Sequence, residues 1–142
     1  MINLEKEEIL YKSIKKGVIY GKNIIKNSIK EYYINNDKNI ILIIEKDINA
    51  SIYNELYNIL NRLLENHAKN IIIHFRINIK YIISNAIYLM LEVQKVLEFR
   101  GGNLILTGLN EYSKWSLKSL EAHKKVKIHD DIQNAIKEIK AS

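Results

Sequence analysis

The sequence predicts an α/β fold: a mainly parallel sheet of four or five strands covered by about four helices. Two observations predict it. Three short, nearly unbroken aliphatic runs, at 39–45, 70–75 and 103–107, have the length and β-branched content of strands buried on both faces. Between and after them, stretches of helical periodicity are joined by only a few residues, and alternation over short joints is what a parallel sheet with crossover helices requires.

The elements follow in order. Residues 4–16 read as a short helix, with its acids early, Lys12, Lys15 and Lys16 late, and Gly17 as a stop. Residues 18–27 are ambiguous and compatible with extended chain. Residues 29–34 read as a strand, Asn35-Asn36-Asp37-Lys38 is turn chemistry, and 39–45 is a central strand, so the pair predicts a hairpin. Asn49 is a good N-cap for a helix over 50–67, whose inner face is Ile52, Leu56, Ile59, Leu60 and Leu63.

After the strand at 70–75, an apolar segment gives way at Ser84 to a helical pattern over 85–99. A serine at that junction is expected to cap the helix. Ala86, Leu89, Val93, Val96 and Leu97 form the expected inner stripe. Ile87, Tyr88 and Leu91 fall off it and make an apolar outer flank beside Ser84, a candidate contact surface. Gly101-Gly102 turns the chain into the strand at 103–107, and Gly108-Leu109-Asn110 leads to a helix from Glu111 to about Ala122, with Trp115 expected to pack. A short edge strand at 126–129 precedes a last helix, capped by Asp130 or Asp131 and running through Ile139. The order is β-β-α-β-α-β-α-β-α, with residues 1–27 as an N-terminal helical arm and 28–142 as one domain.

Composition narrows the function. The chain has 142 residues, nearly half of them apolar, which is enough for one real core. No apolar run approaches the roughly 20 residues of a membrane span, and the first residues lack the pattern of a secretory signal. With no Cys there is no disulfide, thiolate nucleophile or thiolate metal site. The expected compartment is the cytoplasm. Of the net charge of +6, residues 1–30 carry +4, from seven Lys and three Glu. No Arg cluster or basic-aromatic interleaving was found with that charge, so nucleic acid is not the expected partner.

The sequence carries no recognisable catalytic constellation. His67, His74, His123 and His129 lack metal-ligand spacing, and His74, on a strand, is expected to be packed or hydrogen-bonded. Gly101-Gly102 leads into a strand, whereas phosphate-cradling glycines lead into a helix. There is no nucleophile elbow, and carboxylates fall mainly on polar helix faces. The reading is a non-enzymatic protein with no cofactor and no metal site.

Several joints carry a resemblance. Ile48-Asn49-Ala50, Tyr81-Ile82-Ile83-Ser84-Asn85-Ala86, Arg100-Gly101-Gly102-Asn103-Leu104-Ile105-Leu106-Thr107-Gly108-Leu109 and Asp130-Asp131-Ile132-Gln133-Asn134-Ala135-Ile136 stand in the order and spacing of the STAS domain. The chain thus resembles bacterial anti-sigma factor antagonists over roughly 28–139. The resemblance implies a regulatory binding module switched by phosphorylation of Ser84, the partner being a serine kinase that is also the anti-sigma factor. It implies a partner surface around Asn49, Ile83, Ser84, Asn85, Ile87, Tyr88 and Leu91. The chain departs from the family pattern at Asn49 and Ile83, where the family has Asp, at Asn85, where it has a hydroxyl, and at Ala86, where it has Gly. An alternative keeps the fold without the switch, as an adaptor subunit of a transport or sensory complex. The oligomeric state is not legible.

Overall fold

The computed structural model describes residues 19–21, 28–34 and 36–141. The helix expected over 4–16 lies outside them, as does Asn35 of the expected turn.

Six strands form one sheet in sequence order: β1 (Ile19–Gly21), β2 (Ile29–Ile34), β3 (Asn36–Ile44), β4 (Asn70–Phe75), β5 (Leu104–Thr107) and β6 (Lys127–His129). The first two ladders are antiparallel and the remaining three are parallel. The expected hairpin is therefore present. The strand beyond the expected five is β1, which lies within the first 27 residues and pairs Ile19 with Ile34.

Four helices follow: α1 (Ala50–Glu65), α2 (Ser84–Phe99), α3 (Glu111–Ser119) and α4 (Ile132–Ala141), with a 3-10 turn at Ala122–Lys124. Three successive β-α-β crossovers step the sheet in one direction, and right-handed crossovers of that kind place their helices on one face. Ile40, Leu42, Ile44, Ile71, Ile73, Phe75, Leu104 and Leu106 accordingly pack with the inner residues of α1, α2 and α3. The alternate residues Ile41, Ile43, Ile72 and Ile105 pack with Ile132, Ala135, Ile136 and Ile139 of α4 on the other face. This two-sided burial is why the central strands read as continuous aliphatic runs.

Local chemistry sets the element ends. Asn49 caps α1 by accepting the Ile52 N–H at 3.0 Å, and Asp131 accepts the Gln133 N–H at 2.7 Å at the start of α4. Gly101 has φ +82°, and a Cβ on Gly102 would lie 1.7 Å from the Lys69 carbonyl oxygen. The pair is thus fixed by a left-handed turn and by a close backbone approach.

Three expectations are corrected, and one carboxylate is an exception to the usual place on polar helix faces. The inner stripe of α2 is Ala86, Ile87, Met90, Val93, Gln94 and Leu97, so Ile87 belongs to the core while Val96 is 37% exposed. Gln94 can turn inward because its side chain accepts the Leu104 N–H at 2.7 Å and donates to Asn103 Oδ1. Trp115 is 70% exposed: the inward residues of α3 are Ser113 and Leu117, which turns Trp115 outward. One carboxylate is not at the surface at all. Glu31 on β2 is fully buried, held by both terminal guanidinium nitrogens of Arg62 from α1 and by the Tyr33 hydroxyl at 2.7 Å. Finally, Ser84 is the first residue of α2 and not its cap, a position held by Ile83.

Candidate functional site

The candidate site lies at the carboxyl ends of the parallel strands, where loops from successive crossovers gather. The joint between β3 and α1 is zipped to the joint between β4 and α2. Ile48 and Ile82 form an isolated parallel bridge, the Ile48 N–H donates to the Tyr81 carbonyl at 2.9 Å, and the Ile83 N–H donates to the Ile48 carbonyl at 3.2 Å. Asp47 locks the same joint. Its Oδ1 accepts the backbone N–H groups of Lys80 at 2.7 Å and Tyr81 at 3.2 Å. Sequence reasoning missed Asp47, because a carboxylate bonding 33 residues away leaves no local signature.

From the far side, Asn110 holds the joint as well. Its side-chain amide donates to the carbonyls of Ile77 at 2.9 Å and Ile79 at 2.7 Å, while its Oδ1 caps α3 through the Ser113 N–H. Three loops are therefore bound into one rigid edge.

Ser84 stands on this edge, exposed, in the first turn of α2. Ile83 has the extended backbone of a cap but brings no capping oxygen, and the first turn of α2 contains no acid. The positive end of the helix dipole is thus not neutralised by its own side chains. Ala86 is helical, and its N–H reaches the Ile83 carbonyl at 3.0 Å, so the residue standing for the family's Gly needs no left-handed backbone.

The residues expected around Ser84 divide. Asn49, Asn85 and Tyr88 are exposed on the helix face of the same edge, Ile83 and Leu91 are partly buried, and Ile87 is in the core. Tyr88 stands on a ridge between two hollows. One, of about 470 Å³, runs between α1 and α2 and is lined by Tyr53, Tyr57, Leu64, Asn85 and Val96 as well as Tyr88. The other, of about 610 Å³, lies on the opposite flank of α2, where Leu91, Lys95, Leu120 and Lys125 meet. The tyrosines of α1 were also missed. Tyr53 and Tyr57 lie off the inner stripe at a spacing of four, with ring centroids 6.1 Å apart, and that spacing was the available signal.

His74 and Glu45 have structural roles. His74 is buried, its Nδ1 lies 2.9 Å from Thr107 Oγ1, and burial, reinforced by the Arg76 charge, pushes its pKa down to about 4. It is the packed, hydrogen-bonded histidine expected from its place on a strand. Glu45 bridges Lys30 at 2.8 Å and Arg76 at 3.1 Å at the ends of β3 and β4. Among the described residues, no cluster of three or more His, Cys, Asp or Glu is placed to hold a metal ion, and no helix is long and apolar enough to cross a membrane.

No protein-family model and no curated protein matches the chain. Solved structures do. The chain is similar to the crystal structure of TM1081 from Thermotoga maritima, described as a candidate anti-sigma factor antagonist, with a TM-score of 0.70 and 19% identity over 79% of this chain and 94% of that one. The NMR structure of TM1081 gives a TM-score of 0.63 and 21% identity over 78% and 88% of the two chains. The anti-sigma factor antagonist SpoIIAA in its unphosphorylated form gives 0.68 and 11% over 80% and 97%. The chain therefore has a STAS-like α/β fold and resembles these anti-sigma factor antagonists.

Proposed function

We propose that this chain is a non-enzymatic regulatory module that docks a protein partner across the outer face of α2, with Ser84 as the site of a phosphoryl switch set by a partner serine kinase. The observation that carries this reading is the place of Ser84. It is exposed on a rigid edge, in the first turn of α2 and beside the Tyr88 ridge. Rigid loops holding an accessible hydroxyl suit a kinase that must align it, and a ridge between two hollows suits a complementary surface. A phosphate adds nearly two negative charges at the rim of the contact. Beside Tyr88 and Asn85 those charges meet no cationic partner of their own turn, so burying them under a partner is costly.

One observation favours a second reading. Asn49 and Ile83 occupy the positions of the two acids that flank the switch in the family pattern. A chain with the docking face and without that chemistry serves as an adaptor that binds constitutively within a transport or sensory complex.

Affinity purification from the native cell, with phosphosite mapping of the recovered chain, separates the two. Phosphate on Ser84 together with an associated serine kinase supports the switch. A partner that stays associated while Ser84 remains unmodified across growth and stress conditions supports the adaptor.

A further inference from the structure

We propose that the hollow between α1 and α2 is a binding site for a small organic cation, a quaternary ammonium with a short apolar tail. Its volume of about 470 Å³ falls in the range of small-molecule sites, and its walls are two helices of this chain alone. The site therefore stands whether or not α2 docks a protein. Three tyrosines line it, Tyr53 and Tyr57 from α1 and Tyr88 from α2. The Tyr53 and Tyr57 rings have centroids 6.1 Å apart and planes tilted by 32°. Tyr57 and Tyr88 are 45% and 53% exposed, so both keep ring surface free for a guest.

The chemistry of the lining chooses the guest. Glu92 is its one carboxylate, Asn61 and Asn85 are uncharged, and no lysine, arginine or histidine is among the lining residues. Lys95 meets Glu92 at 3.3 Å, but from the opposite flank of α2, and the two side chains are 69% and 72% exposed. An exposed pair of that kind contributes little and leaves the carboxylate able to face a second cation. Aromatic faces attract a cation through the ring quadrupole, and a quaternary ammonium brings no N–H donor that an apolar wall would leave unsatisfied. An anion would meet Glu92, and a hard metal ion needs more oxygen ligands than one carboxylate supplies. Both helices descend from the carboxyl ends of parallel strands, so they run in the same direction. The tyrosines and Glu92 thus lie toward one end of the hollow, and Leu64 and Val96 toward the other. That aliphatic end fits the tail.

The test titrates the purified full chain with butyrylcholine and with its neutral counterpart, in which a tert-butyl group replaces the trimethylammonium. NMR follows the amide and ring resonances. The expected result is saturable shifts at Tyr53, Tyr57 and Tyr88 with butyrylcholine, and an affinity for the neutral molecule about tenfold lower. Tyr57→Leu removes a ring and keeps apolar surface, while Glu92→Gln removes the charge and keeps the shape. Both positions are exposed, so the fold tolerates the changes. Each should weaken butyrylcholine about threefold or more. The proposal is overturned by the absence of saturable shifts at these tyrosines. It is equally overturned by equal affinity for the two molecules, which would mean that apolar contact alone fills the hollow, or by unchanged butyrylcholine affinity in either variant. No partner protein is in the sample, so none of these outcomes bears on the Ser84 switch.

Discussion

Arg62 on α1 closes both terminal guanidinium nitrogens on the carboxylate of Glu31, a residue of β2 with no solvent exposure. The pair staples the end of α1 to the antiparallel side of the sheet, and the Tyr33 hydroxyl completes the set from the same strand. Removing the cation leaves a buried charge with only a phenol for company. Arg62→Met should cost about 2–3 kcal/mol in urea unfolding, below the full penalty of a buried orphan charge because Arg62 is partly exposed and water can enter. Pairing it with Glu31→Gln should recover at least half of that loss. A single variant within error of the parent would show that the staple adds nothing.

His74 makes stability depend on pH in one window. Its folded pKa of about 4 lies below the ordinary 6.5, so between those values the unfolded chain binds more protons than the folded one. Stability is fully present above pH 6.5 and is lost as pH falls toward 4. From pH 7 to pH 5 the loss should be about 1–2 kcal/mol in excess of that in His74→Gln, which cannot titrate there. Identical slopes for parent and variant would remove His74 as the cause.

The two glycines before β5 should differ in cost. Gly101→Ala places a Cβ in open space and suffers only from φ +82°, a strain of about 1 kcal/mol. Gly102→Ala drives a Cβ against the Lys69 backbone carbonyl, which cannot swing away as a side chain would. Thermal unfolding should therefore rank Gly102→Ala as the more damaging, by about 1–3 kcal/mol. Equal midpoints would contradict the close approach.

Asp47 should control the order of the joint ahead of Ser84. Its carboxylate holds the Lys80 and Tyr81 amides, so Asp47→Ala should speed hydrogen exchange at those two sites. Amides in the middle of β4 should be unaffected. Unchanged exchange at Lys80 and Tyr81 would mean that the Ile48–Ile82 bridge and Asn110 hold the loop without Asp47.

Much of this architecture was legible because burial on both sheet faces writes itself into sequence as aliphatic runs at 39–45, 70–75 and 103–107, and Asn49 and Gly101-Gly102 mark ends by local chemistry. Orientation of α2 was less legible. Ile87, Leu91 and Val96 give the helix apolar residues nearly all round, so periodicity alone could not decide that Gln94 faces inward and Val96 outward. That choice is made by a tertiary hydrogen bond to Leu104. Glu31–Arg62 and Asp47–Lys80 were invisible for the same reason: each joins residues more than 30 positions apart. Trp115 was misplaced by its residue type, since a large aromatic reads as core until the helix face is known. Of the site, Ser84 and Tyr88 were legible as a junction and an off-stripe residue, whereas the tyrosines of α1 and the locks beneath the loop were not.

In the proposed function, Ser84 lies within the partner's footprint. The most direct measurement is the affinity of the purified partner for the parent chain, for Ser84→Asp and for Ser119→Asp, an exposed serine at the far end of α3. Ser84→Asp is expected to weaken binding about tenfold or more, equivalent to about 1.4 kcal/mol, while Ser119→Asp leaves it unchanged. Equal affinity for all three chains would contradict it and place the partner on another face.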